Sequence, residues 1–201
     1  MKTFSTKVIE ASASCSVMLL NSTPGDFFPV KLFAFVLAGA TALFAQAPDY
    51  STNTSAAMAL QKQVAGVITR SAEKMTEEDY NYKPTPDVRS FAAIVGHVAD
   101  AQYSFCSAVL GEKSPGLNIE KTKTSKADLV AAVKAAFAYC DKAYAFVSEA
   151  NGGDKVSFFG GQRARLSVLS FNTMHNFEHY GNLVTYMRMK GVVPPSSEPR
   201  K

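Results

Sequence analysis

The sequence predicts an all-α fold, a four-helix bundle preceded by a signal peptide, and three observations carry that prediction. Four stretches repeat their apolar residues at helical spacing. None shows sustained period-two alternation of strand length. The breaks between them are built from proline, glycine and capping residues. A helix with one apolar stripe must bury it against a neighbour, and four such helices close into a bundle. The 201 residues, 47% hydrophobic and 19% charged, make one sizeable core and one ordinary domain.

The chain opens on a segment that is not part of that fold. Lys31 precedes the apolar run Leu32 to Phe44, and Ala45-Gln46-Ala47 follows as an A-x-A cleavage site. The run is shorter than the roughly 20 residues a membrane span needs, so export is favoured over anchoring and no stable span is expected after cleavage. The expected organisation is a leader over 1–47 (signal peptide about 31–47), the bundle over 48–195 and a frayed tail over 196–201. Residues 1–29, with Pro24-Gly25-Asp26, fit a leader poorly. Translation is therefore expected to begin later, at Met18 or at a non-standard start codon at position 30; a precursor peptide covering Lys7 to Asp26 would overturn this.

The first helix is expected from Thr54 to about Met75, on Met58, Leu60, Val64, Val67 and Ile68. Thr76 to Tyr80 begins a turn, and Pro84-Thr85-Pro86 breaks any continuation. Ser90 caps a second helix through Phe91, Ile94, Val95, Val98, Ala101 and Phe105 to Leu110, where Gly111 stops it. Ser125 or Thr124 caps the third, on Leu129, Val133, Phe137, Cys140, Tyr144 and Val147, ending at Asn151-Gly152-Gly153. After the Phe158-Phe159-Gly160-Gly161 loop, the fourth runs from near Ala164 to Lys190. Its apolar stripe is Leu166, Leu169, Phe177, Tyr180, Val184 and Met187. Beside it lies a polar stripe of Asn172, His175, His179, Asn182 and Tyr186, which suggests a lined cavity.

The net charge of +4 falls to +3 without the first 47 residues, because Lys2, Lys7 and Lys31 there oppose Glu10 and Asp26. That bias is weak, and runs such as Glu120-Lys121-Thr122-Lys123 read as solvated helix ends, so no nucleic-acid partner is expected.

The chemistry concentrates in the only three histidines, His97, His175 and His179. Four residues apart on one helix, His175 and His179 share a face about 6 Å apart along the axis and can converge on one ion. His97 sits mid-helix among Ile94, Val98 and Ala101, where an imidazole needs a partner; the bland alternative is a core histidine bonded to a carbonyl or a water. Three nitrogens leave a coordination position open, as catalytic sites do, and zinc or nickel suits imidazole donors best. Glu178, three residues after His175, and Asp100, three after His97, are the candidates to orient a ligand or move a proton, although surface carboxylates are an equal reading. For Cys106 and Cys140, on adjacent helices, buried small hydrophobes are favoured over a disulfide.

Two stretches resemble the DinB-like superfamily of metal-dependent proteins: Tyr82-Lys83-Pro84 through Ser90 to Asp100, and His175-Asn176-Phe177-Glu178-His179 through Pro195. The resemblance spans Ala57 to Pro195. It implies a bundle that is often dimeric, raising a homodimer here, with metal ligation by His97, His175 and His179. Some members act as thiol-dependent S-transferases or hydrolases. The chain departs from the family at Arg89, where tryptophan is common, and at Asn182, where glutamine is.

The functional expectation is a metal-dependent enzyme of hydrolase or transferase type acting on an unknown small molecule, with Asn172, Asn182 and Tyr186 contacting substrate. Export weighs against a cytoplasmic thiol co-substrate. The alternative is a non-enzymatic metal- or ligand-binding bundle, which predicts no substrate-sized pocket beside the ion. An H-x-x-E-H metalloprotease with Glu178 as base is remote, because only Glu198 follows as a downstream acidic ligand.

Overall fold

The computed structural model describes residues 47–199, so the leader expected over 1–47 lies outside the described residues except for Ala47. The described chain runs α1 (Asn53–Lys74), α2 (Phe91–Leu110), α3 (Ile119–Thr122), α4 (Lys126–Phe146), β1 (Lys155–Phe158), β2 (Gly161–Ala164) and α5 (Arg165–Met189), then a single 3₁₀ turn at Pro195–Ser197.

Helices α1, α2 and α4 start where the sequence can satisfy orphaned N–H groups, whereas α5 starts after Ala164 with no side-chain cap. Thr52 and Ser55 form a reciprocal capping box before α1. The Ser90 side chain accepts from Ala93 N–H, and Ser125 accepts from Asp128 N–H. Gly111 ends α2 at φ 74°, a left-handed position that only glycine adopts without penalty. Helix α4 stops at Phe146, earlier than the expected Asn151-Gly152-Gly153, because Val147 turns to extended backbone.

In the bundle, α1 and α2 each pack against both α4 and α5. The core falls into two apolar clusters. One is built on Val64, Ile68, Phe91, Val95, Leu129, Val133 and Leu183. The other is built on Phe105, Val109, Cys140, Ala143, Tyr144 and Leu169. Between them along the helices lie four fully buried amides, Gln61, Gln102, Asn172 and Asn176. Gln102 Nε2 donates to Asn172 Oδ1 at 3.0 Å and Asn176 Oδ1 at 2.7 Å, and Gln61 Nε2 donates to Gln102 Oε1 at 3.1 Å. Asn176 and Asn172 donate in return, to Gln61 at 3.2 Å and to Tyr144 at 3.2 Å. Buried amides are tolerable only when paired this completely.

Four expectations need correction. The fold is not purely helical: β1 and β2 form an antiparallel hairpin, with Phe158 paired to Gly161. Its four-residue strands are too short to print an alternation. A fifth helix, the single turn α3, stands outside the four expected, although Lys121, Thr122 and Lys123 are exposed as expected of a solvated run. Cys106 and Cys140 form a disulfide, their Cα atoms 5.2 Å apart, rather than two free small hydrophobes. Ser196 to Glu198, expected to fray, are anchored: Ser196 N–H donates to the Tyr180 hydroxyl at 3.0 Å and Lys74 pairs with Glu198 at 2.6 Å. No helix among the described residues is long and apolar enough to cross a membrane.

Candidate metal centre

Helices α2 and α5 bring the three histidines together. His97 Nε2 lies 3.2 Å from His175 Nε2, which lies 3.1 Å from His179 Nε2. The three rings offer nitrogens all within 4.8 Å of one another. Two imidazole nitrogens on a tetrahedral ion, each about 2.0–2.1 Å from it, stand about 3.4 Å apart, close to those separations. Burial and the neighbouring rings push His175 down to about 4, and burial with the His97 ring and the Arg89 charge does the same to His179. At neutral pH both rings are uncharged and keep lone pairs for an ion.

The ring backs differ. His97 Nδ1 meets Glu120 Oε2 at 3.1 Å, and the Asn182 amide reaches His179 Nδ1 at 3.4 Å. His175 Nδ1 is buried with no hydrogen-bond partner. Its ring instead packs edge-on to Phe105, centroids 5.3 Å apart, and stacks on Phe171 at 6.5 Å. Those two phenyl rings belong to a cluster completed by Phe158 and Phe159 from the hairpin. One side of the centre is thus an aromatic wall. Beside the centre lies a cleft of about 600 Å³ lined by His179, Arg89, Glu120, Glu178, Asn182 and Tyr186, among others.

The expected site residues separate on this geometry. Asn182, Tyr186 and Glu178 line the cleft. Asn172 does not: it is fully buried in the amide layer, because the inward face of α5 is rotated from the one assumed, which also leaves Phe177 partly exposed. Asp100 takes no part in the cleft. Both of its oxygens are occupied, accepting from Ile119 N–H at 2.8 Å and Glu120 N–H at 2.9 Å.

Glu120 is the site residue that the sequence hid. It stands 23 positions from His97, in what reads as a solvated run, and no spacing rule links the two. Its other oxygen accepts from Arg89 Nε at 2.9 Å.

A family model described as the DinB superfamily matches residues 62–183. The uncharacterized protein YjoA of Bacillus subtilis (strain 168) is 27% identical over 132 residues, 62% of this chain and 82% of that protein. Among solved structures, the DinB-like YjoA from Bacillus subtilis superposes with a TM-score of 0.59 at 22% identity, covering 73% of this chain and 99% of that one. A DinB-like protein from Bacillus cereus ATCC 10987 gives 0.60 at 16% identity, covering 68% and 94%. A mycothiol-dependent maleylpyruvate isomerase gives 0.54 at 14% identity, covering 67% of this chain and 65% of that one. The helical architecture is common to all of these, and with a family match over more than half of its length this chain belongs to the DinB superfamily.

Proposed function

We propose that this protein is an exported metal-dependent enzyme of hydrolase or transferase type, with zinc or nickel held by His97, His175 and His179 and a small molecule as substrate. The observation that carries the reading is the convergence of three imidazoles beside a polar cleft. The cleft favours an enzyme over a bundle that merely stores metal.

A divalent ion there supplies Lewis acidity, polarising a substrate oxygen or lowering the pKa of a water or thiol toward neutrality. This chain's own groups do the rest. Glu178 is exposed in the cleft beside His179 and is placed to take or return a proton. Asn182 braces His179 while facing the same space. The Tyr186 hydroxyl donates to Arg89 C=O at 2.8 Å, fixing the segment that carries the Arg89 guanidinium into the cleft. The third donor residue is His97 of α2 rather than a downstream carboxylate, which removes support from an H-x-x-E-H protease.

The disulfide between Cys106 and Cys140 supports export, since such bonds persist in oxidising compartments. In that setting hydrolysis is the better reading than transfer to a cytoplasmic thiol, although the fold is shared with a mycothiol-dependent isomerase. Fold alone does not carry a reaction. The test is elemental analysis of untagged protein purified without chelator, beside a His97→Ala, His175→Ala, His179→Ala variant. About one ion per chain, absent from the helical variant, is expected. No metal after reconstitution would refute the centre.

A further inference from the structure

We propose that α3 serves to hold Glu120 against His97, so that Glu120 is the positioning residue that sets the tautomer of that ring and its strength as a donor. The proposal rests on the metal-centre reading above and adds to it an element outside the two histidine helices.

Three features of α3 bear on Glu120. The turn starts from Asn118 in the left-handed region, φ 52°, an unfavourable conformation that asparagine tolerates better than most residues. Its first two N–H groups are gripped by the two oxygens of one carboxylate, Asp100, one turn beyond His97 on α2. Its backbone also lies so close to α2 that a Cβ on Gly96 would stand 2.6 Å from Glu120 Cα and 2.9 Å from Glu120 N. Gly96 and Asp100 flank His97 in sequence, so the same stretch of α2 that carries the ring also clamps the backbone of Glu120. The carboxylate then reaches His97 Nδ1 at 3.1 Å, while Arg89 holds its second oxygen.

A carboxylate at Nδ1 requires the proton on that nitrogen, which leaves the Nε2 lone pair directed at His175 and His179. Losing such a partner weakens metal affinity about 10–100-fold in other sites. His175, with no acceptor at its Nδ1, and His179, with only a 3.4 Å amide contact, lack this support. The centre is asymmetric, and His97 is its anchored ligand.

The test uses the untagged protein with zinc alone as probe, and the variants Glu120→Ala, Glu120→Gln and Arg89→Gln. Zinc affinity is measured by competition with a chromogenic chelator, and the His97 tautomer by long-range ¹H–¹⁵N spectra of the metal-free protein. Expected are a 10–100-fold loss in Glu120→Ala with redistribution of the His97 tautomer, and a smaller loss in Glu120→Gln, which keeps an acceptor oxygen. Arg89→Gln cuts the other partner of Glu120 and should stay within about threefold of the parent, whereas a merely structural ion pair would lose as much as Glu120→Ala. Affinity in Glu120→Ala within twofold of the parent, or an unchanged tautomer, overturns the proposal alone. If Glu120→Ala does not fold, the Glu120→Gln and Arg89→Gln pair decides in the same way. A parent protein that binds no zinc overturns the metal centre itself and this proposal with it.

Discussion

Gly96→Ala is the substitution that most directly probes how α3 is seated. The new methyl carbon would lie 2.6 Å from Glu120 Cα, 2.9 Å from Glu120 N and 3.3 Å from Ile119 C, all backbone atoms that no rotamer change can move. Carbon atoms rest at about 3.5–4.0 Å, so α3 must retreat by about 1 Å. That displacement takes the Asp100 bonds, now 2.8 and 2.9 Å, and the His97–Glu120 bond, now 3.1 Å, beyond good hydrogen-bond distance. Overpacking costs about 1–3 kcal/mol and each weakened charge-assisted bond up to about 1.5–3 kcal/mol, while alanine returns about 1 kcal/mol of helix propensity. Global stability should therefore fall by only about 1–3 kcal/mol, because α3 can detach without unfolding the bundle. The decisive readouts are local: amide exchange at Ile119 and Glu120 should accelerate at least tenfold, and zinc affinity should fall toward that of Glu120→Ala. Unchanged exchange together with unchanged affinity would refute the reasoning, since no rearrangement of side chains alone relieves the contact.

Three further outcomes are expected. Above pH about 6.5 the rings of His175 and His179 are neutral in both folded and unfolded chains; as pH falls from there toward 4, the unfolded chain takes up protons that the folded one refuses, so the metal-free protein should lose stability across that window, and a His175→Phe, His179→Phe variant should lose less in urea titrations at pH 7.5, 6 and 4.5. Reduction of Cys106–Cys140, which closes a loop with a sequence separation of 34, should cost about 3–4 kcal/mol and lower the urea midpoint, and a midpoint insensitive to reductant would contradict the pairing. Gln102→Leu strands acceptors on Asn172 and Asn176 and a donor on Gln61, so a loss of roughly 3 kcal/mol or more is expected by chemical denaturation, compared with under 0.5 kcal/mol for a substitution at exposed Lys142.

The helices and their ends were legible because their signals are local. Ser90, Gly111 and Ser125 each act within one turn of themselves, and the structure places the caps on those residues. The histidines were legible for a different reason: three residues of one type, two at helical spacing, leave few ways to combine. What escaped depends on contacts between distant segments. Glu120 and His97 meet only because Gly96 lets α3 lie on α2, and a glycine in the middle of a helix does not announce what approaches it. The disulfide turns on how α2 and α4 are aligned axially, and the hairpin on a tight turn at Phe159 and Gly160, both at positive φ, and on aromatic packing against Phe105 and Phe171.

The polar residues of α5 read in sequence as one stripe lining one cavity, yet they divide into two sets with different tasks. Asn172 of that stripe points inward and, like Asn176 outside it, bonds across the core, while His175 and His179 point toward α2 and Asn182 opens to the cleft. The two sets constrain each other. A slip of one residue between α2 and α5 moves them about 1.5 Å along the axis, enough to break the Gln102 bonds at 2.7 and 3.0 Å and to part His97 from His175. An apolar core tolerates such a slip at modest cost, since Leu and Val contacts are not directional, whereas a buried amide left unpaired does not. Gln102 and His97 share α2, and Asn176 and His175 are adjacent on α5, so the register that satisfies the amides is the register that closes the triad. The amide layer therefore does for the candidate metal centre what a larger apolar core could not: it fixes the height at which two helices present their histidines.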